Sequence, residues 1–130
     1  MNGELCKGCS PEEFRAVYEA GVLSGITLDF GHAIYYSASC RLDYRNIISE
    51  FLKFTPLVFH LSDGYYNSYT DVHLNIGKGE FDIPELLSIV ADNGMVSIET
   101  PRSSKVDLHE FIEDVRNIRL IKVPCRNTEV

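Results

Sequence analysis

The chain has 130 residues, a length that fits one domain. It is 45% hydrophobic and 24% charged, which excludes an intrinsically disordered chain. The formal net charge of −7 lacks the basic footprint of nonspecific nucleic-acid binding, so nucleic acid is the less favoured partner. An acidic site that holds metal ions recovers positive potential from them, so charge alone does not close that question. No apolar run reaches the roughly 18 residues a membrane span needs. Met1-Asn2-Gly3-Glu4 has neither the basic nor the apolar region of a signal peptide. A cytoplasmic location without a membrane partner is the expectation.

Residues 1–9 read as a loop remnant containing Cys6-Lys7-Gly8-Cys9. This lone C-x-x-C has no second pair at metal-site spacing, and with Cys40 and Cys125 it reads as incidental thiols. Ser10-Pro11-Glu12-Glu13 is a capping box with proline at the first helical position. The helix it opens carries Phe14, Val17, Tyr18 and Val22, bracketed by Gly21 and Gly25. Gly25 to Phe30 reads as a buried strand, and Asp43 to Phe54 as a helix with Ile47, Ile48, Phe51 and Leu52 on one face. Pro56 to Leu61 is the second strand, followed by a polar, tyrosine-rich loop from Ser62 to about Gly79. Asp82-Ile83-Pro84-Glu85 opens a third helix that Asn93-Gly94 ends, and Met95 to Glu99 is the third strand. Asp107 to about Leu120 is a fourth helix, with Leu108, Phe111, Ile112, Val115 and Ile118 as its inward stripe. Residues 122–130 read as a tail.

Strands alternating with helices imply right-handed crossovers and a parallel sheet. The fold class is therefore α/β: three parallel strands and four helices in one domain over residues 1–130. Near-continuous apolar strands suit a sheet covered on both faces. A small three-layer sandwich and three consecutive units of a larger barrel both remain open.

Polar residues interrupt these strands at one kind of place. Asp29, His60 and Glu99 each stand at or near a strand's C-terminal end, the edge where parallel sheets bind ligands. Carboxylate, imidazole and carboxylate together suit a divalent cation of borderline hardness, with zinc or manganese foremost. His32 follows Asp29 by three residues, in what reads as the loop after the strand. Asp71-Val72-His73 puts two ligand-type side chains on one face of an extended segment. The fourth histidine, His109, lies in the last helix and reads as exposed.

Four segments carry a resemblance to a known superfamily. They are Leu28-Asp29-Phe30-Gly31-His32-Ala33, Phe59-His60-Leu61-Ser62-Asp63-Gly64, residues 71–82 and Ile98-Glu99-Thr100-Pro101. In that order they are similar to motifs of the xylose-isomerase-like TIM barrels. That superfamily includes endonuclease IV (AP endonuclease family 2) and the sugar-phosphate isomerases and epimerases. The likeness covers about residues 10 to 120, and Asp-x-His-x-Asn-Ile-Gly-x-Gly at 71–79 is its most specific part. It implies a partial TIM barrel made of the family's strands six to eight. It also implies that Asp29, His60 and Glu99 bind one metal. In endonuclease IV-like members His32, Asp71 and His73 bind a second, which many sugar isomerases lack. In the isomerases the glutamate at the position of Glu99 also acts catalytically, in proton transfer. Gly77 and Gly79 resemble the tight turn that brings the loop backbone close to the site.

The chain also departs from the family. Two histidine ligands from the third and fourth strands, and the glutamate ending the fifth, have no counterpart. The expectation is a chain that begins just after the fifth strand, with open sheet edges covered by a second copy or by a complementary N-terminal barrel half. Three functions follow. The first is a sugar or sugar-phosphate isomerase or epimerase, active once completed. The second is an endonuclease IV-like phosphodiesterase acting on abasic-site DNA. The third is a non-catalytic truncated barrel. A small α/β domain without metal is the plain alternative to all three. Arg102 and Lys78 are candidate phosphate contacts.

Overall fold

Each of the first four helices starts on a side chain that caps it. Ser10 Oγ accepts the Glu13 N–H at 3.1 Å, ahead of α1 (Pro11–Glu19). Asp29 Oδ1 accepts the His32 N–H at 2.9 Å, ahead of α2 (Phe30–Cys40). Asp43 caps α3 (Tyr44–Leu52) through the Arg45 N–H, and Asp82 caps α4 (Ile83–Ile89) through the Glu85 N–H. Such a cap stabilises a helix by about 1 kcal/mol. The last helix, α5 (His109–Leu120), has no side-chain bond from its cap residue Leu108; Asp107 accepts the His109 N–H instead. These elements come from a computed structural model that describes residues 10–90 and 92–123. Cys6, Cys9, Cys125, the N-terminal loop remnant and all but the first two residues of the tail lie outside the described residues.

The three strands are β1 (Thr27–Asp29), β2 (Val58–Leu61) and β3 (Met95–Ile98). They pair in parallel in the order β1-β2-β3, so the chain is α/β. The register aligns Leu28 with Phe59 and Val96, and Leu61 with Ile98. This row packs under the helices: Leu28, Phe59 and Leu61 are buried, and Phe30 of α2 stacks on Phe59 at 5.6 Å. Ile34 of α2 and Ile48 of α3 complete the centre of the core. Each such side chain contributes about 1.5–3 kcal/mol when fully buried. On α1, Phe14 meets Phe51 and Phe54 of the α3 end edge-on or tilted.

The opposite row holds Thr27, Val58 and Met95, then Asp29, His60 and Ser97, and none of the six is buried. The expected cover on both sheet faces is therefore corrected: within the described residues one face is covered. This uncovered face is the one that carries the polar strand ends.

The sequence expectation of four helices is also corrected, because the described residues form five. Phe30 begins α2 rather than ending β1, and His32 lies in the helix's first turn rather than in a loop. The capping bond from Asp29 turns the chain at that point. Ser37 and Ser39 donate back to the Ala33 and Tyr35 carbonyls, which absorbs their hydroxyls inside the helix. Arg41 ends α2 in the left-handed region (φ 56°), with the Leu42 N–H on the Ser37 carbonyl. α4 stops at Ile89 rather than Asn93-Gly94, since Val90 is already extended (ψ 128°). The expected inward stripe of the last helix fails at Leu108, Phe111 and Ile112, which are 51%, 38% and 52% exposed; the buried residue of α5 is Asp114. No helix among the described residues is long and apolar enough to cross a membrane.

Candidate metal centre

Side chains alternate across a strand, and this alternation builds the first half of the site. Asp29 and His60 are register partners on the uncovered face, and Ser97 is the next partner across. Glu99 stands two residues beyond Ser97, on the same face, and its N–H extends the ladder to the Leu61 carbonyl at 2.9 Å. The result is a strand-end group. His60 Nδ1 lies 3.0 Å from Glu99 Oε1 and 3.6 Å from Asp29 Oδ2.

The second half joins helix and loop. His32 Nε2 is 2.7 Å from Asp71 Oδ2, and His73 Nε2 is 3.1 Å from the same oxygen. The His32 and His73 rings meet edge-on at 6.1 Å. Asp29 touches both halves: its Oδ2 is also 3.2 Å from His32 Nδ1, while its Oδ1 caps α2. All six residues singled out in the sequence thus converge at one edge, in two groups of three. His109 is apart from them and exposed.

The donor chemistry fits divalent ions. Within each group one ligand atom per residue lies within 4.8 Å of the others. Ligand atoms on a tetrahedral zinc stand about 3.4 Å apart, given bonds of about 2.0–2.2 Å, and the contacts above bracket that value. Mixed imidazole and carboxylate ligands suit zinc or manganese. His73 is oriented as a ligand should be: its Nδ1 lies 3.0 Å from the Glu99 carbonyl, which takes that N–H and leaves Nε2 facing Asp71. Burial pulls the His73 pKa down, but the Glu99 carbonyl and the Asp71 carboxylate outweigh it and hold the pKa above the ordinary histidine value. The site is open to solvent, with side-chain exposures from 18% at Asp29 to 59% at His32.

Backbone and side-chain bonds hold the loop that carries Asp71 and His73. Asp63 and Leu74 form an antiparallel bridge through both backbone bonds, at 2.9 and 3.0 Å. The buried Asp63 carboxylate accepts the Gly64, Gly77 and Phe81 N–H groups at 2.8–3.1 Å. The Tyr35 hydroxyl of α2 donates to the Val72 carbonyl, between Asp71 and His73, and burial pushes that phenol's pKa up. Gly77 has φ +88°, and a Cβ at Gly79 would collide with the Asp63 carboxylate and the Gly64 backbone. The glycines resembling a tight turn are thus required here, one by its dihedral and one by close approach.

Sequence reasoning missed Tyr35, Asp63 and Asp114. For Asp114 a signal existed: a carboxylate at the inward spacing of an otherwise apolar stripe. Arg102 and Lys78 are exposed, and Lys78 lines a small cleft with Glu110 and Glu113, which disfavours an anion there. Comparison with family models, curated proteins and solved structures finds no match to this chain.

Proposed function

We propose that this chain is a divalent-metal-binding protein resembling the xylose-isomerase-like barrels, and that its chemistry is that of a sugar or sugar-phosphate isomerase or epimerase. The observation that carries the reading is the convergence of Asp29, His60 and Glu99 on one uncovered sheet face, at the C-terminal ends of adjacent parallel strands. The monotonic order β1-β2-β3 supports a partial barrel, because right-handed crossovers in one direction place every connecting helix on one side. The uncovered face then corresponds to a barrel interior.

A bound divalent ion supplies Lewis-acid polarisation of a substrate carbonyl or hydroxyl. Asp29, His60 and Glu99 would hold it. Glu99 has a second carboxylate oxygen, Oε2, 4.0 Å from His73 Nδ1, and is the group placed to move a proton at the neighbouring carbon. Epimerisation returns the proton to the opposite face of one carbon and needs a second acid/base group there. We propose that a second copy or a complementary barrel half supplies it. The surface suits such an assembly: Met95, Ile112 and Leu108 are more than half exposed, and Val58, Val96, Phe111 and Val115 line an open apolar cleft between β3 and α5.

The preassembled His32–Asp71–His73 group favours a second reading, metal-dependent phosphodiester hydrolysis, where two ions stabilise attacking and leaving oxygens. Metal analysis of the purified chain tests the shared premise; no change with added zinc or manganese would overturn both. Sugar isomerisation or epimerisation that needs Glu99 would support the first reading. Cleavage of abasic-site DNA, lost in Asp71→Ala, would replace it with the second.

A further inference from the structure

Asp114 lies on α5, far along the chain from every ligand, yet it is 1% exposed and its carboxylate accepts three hydrogen bonds. Oδ1 accepts the Ile76 N–H at 2.8 Å, and Oδ2 accepts the Asn75 side-chain amide at 2.9 Å. Oδ2 also accepts the Thr100 hydroxyl. Asn75 is two residues beyond His73, and Thr100 directly follows Glu99. The Asn75 amide reaches the Pro101 carbonyl as well, at 3.3 Å. One buried carboxylate therefore fastens the loop bearing Asp71 and His73 to the strand end bearing Glu99. A carboxylate is the side chain for this task because all three partners present hydrogens, and it only accepts.

We propose that Asp114 is a positioning residue that sets the His32–Asp71–His73 group against the strand-end group. This rests on the reading of those groups as metal ligands. The two groups depend on Asp114 unequally. Asp29 and His60 sit on paired strands, and the Glu99 N–H bonds the Leu61 carbonyl, so the ladder fixes all three strand-end residues. Asp71 and His73 sit on a loop whose course past residue 74 is set by the Asp63 and Asp114 carboxylates. Loss of the Asp114 contacts should therefore weaken the loop group and spare the strand-end group.

The test titrates cobalt(II) into the full chain, following its visible absorption, with a chelator competing for affinity. The wild type should take up two equivalents. Asp114→Asn turns an amide toward the Asn75 and Thr100 donors, and one equivalent should weaken about 10- to 100-fold, the range for groups supporting metal ligands. In an Asp71→Ala background, where the strand-end group alone remains, Asp114→Asn should change affinity less than about threefold. Thr100→Val removes the hydroxyl donor alone and should weaken the same equivalent by a smaller factor. If Asp114→Asn does not fold, Thr100→Val decides the matter. Equal weakening of both equivalents would reduce Asp114 to a general stabiliser and overturn the proposal. So would wild-type affinity for both equivalents in Asp114→Asn and Thr100→Val, which would leave the metal reading intact. A wild type that takes up no cobalt overturns both.

Discussion

Asp29 gives its two carboxylate oxygens different tasks, and an amide at this position separates them. Oδ1 accepts the His32 N–H and caps α2, while Oδ2 faces His60 and His32. Asparagine caps a helix about as well as aspartate, so metal-stripped Asp29→Asn should lose less than about 0.5 kcal/mol. Alanine has no acceptor and should cost about 1 kcal/mol, or about 4 °C in Tm for a domain of this size. The metal response should divide differently. Zinc at 100 times its Kd stabilises one site by about 2.7 kcal/mol, about 10 °C. A 100-fold loss of affinity at the strand-end group would leave about 0.4 kcal/mol of that. Asp29→Asn should thus keep the metal-stripped Tm of the wild type and lose most of the strand-end group's zinc-induced rise. Asp29→Ala should lose both. Thermal unfolding by circular dichroism, with and without zinc, measures the four quantities. The division of labour is refuted if Asp29→Asn melts with Asp29→Ala in the stripped form, or if it keeps the full zinc response.

The raised pKa of His73 predicts a pH dependence with opposite signs for folding and for metal binding. In stripped protein, the stability from protonated His73 is full below the unfolded value of about 6.5 and lost as pH rises through the raised folded value. Metal needs the neutral ring, so loop-group affinity should fall about tenfold per pH unit below that raised value; equal cobalt affinity at pH 8 and pH 6 would count against it. Thr55 holds φ 51°, a left-handed conformation that costs a β-branched residue about 1–2 kcal/mol. Thr55→Gly should raise stability by about 0.5–1 kcal/mol after glycine's entropy is counted, and a lower Tm would contradict the strain. Light scattering at micromolar concentration should report more than one chain mass, and Ile112→Asp should shift it toward a single chain. A monodisperse wild-type monomer would sink the assembly proposal.

Local chemistry in the sequence determined the capping residues Ser10 and Asp82, the three strands, and the six ligand-type side chains. These are short-range facts: a cap bonds three residues on, and strand parity alone puts the ligand-type strand ends on one face. α2 was not legible because its first turns are buried at Phe30, Ala33, Ile34, Tyr35 and Ser37, which leaves little polar face to mark a helical period. What Asp63 and Asp114 bond was not legible for another reason. Apart from the adjacent Gly64, the partners of Asp63 stand 14 and 18 residues on and those of Asp114 stand 14, 38 and 39 residues back, so they become neighbours only once the helices have packed. The sequence by itself determined which side chains are of ligand type and that the strand-end ones share a face. Only the tertiary structure decided how two buried carboxylates hold the loop that presents Asp71 and His73, because burial of a charge is set by what surrounds it and not by its neighbours in the chain.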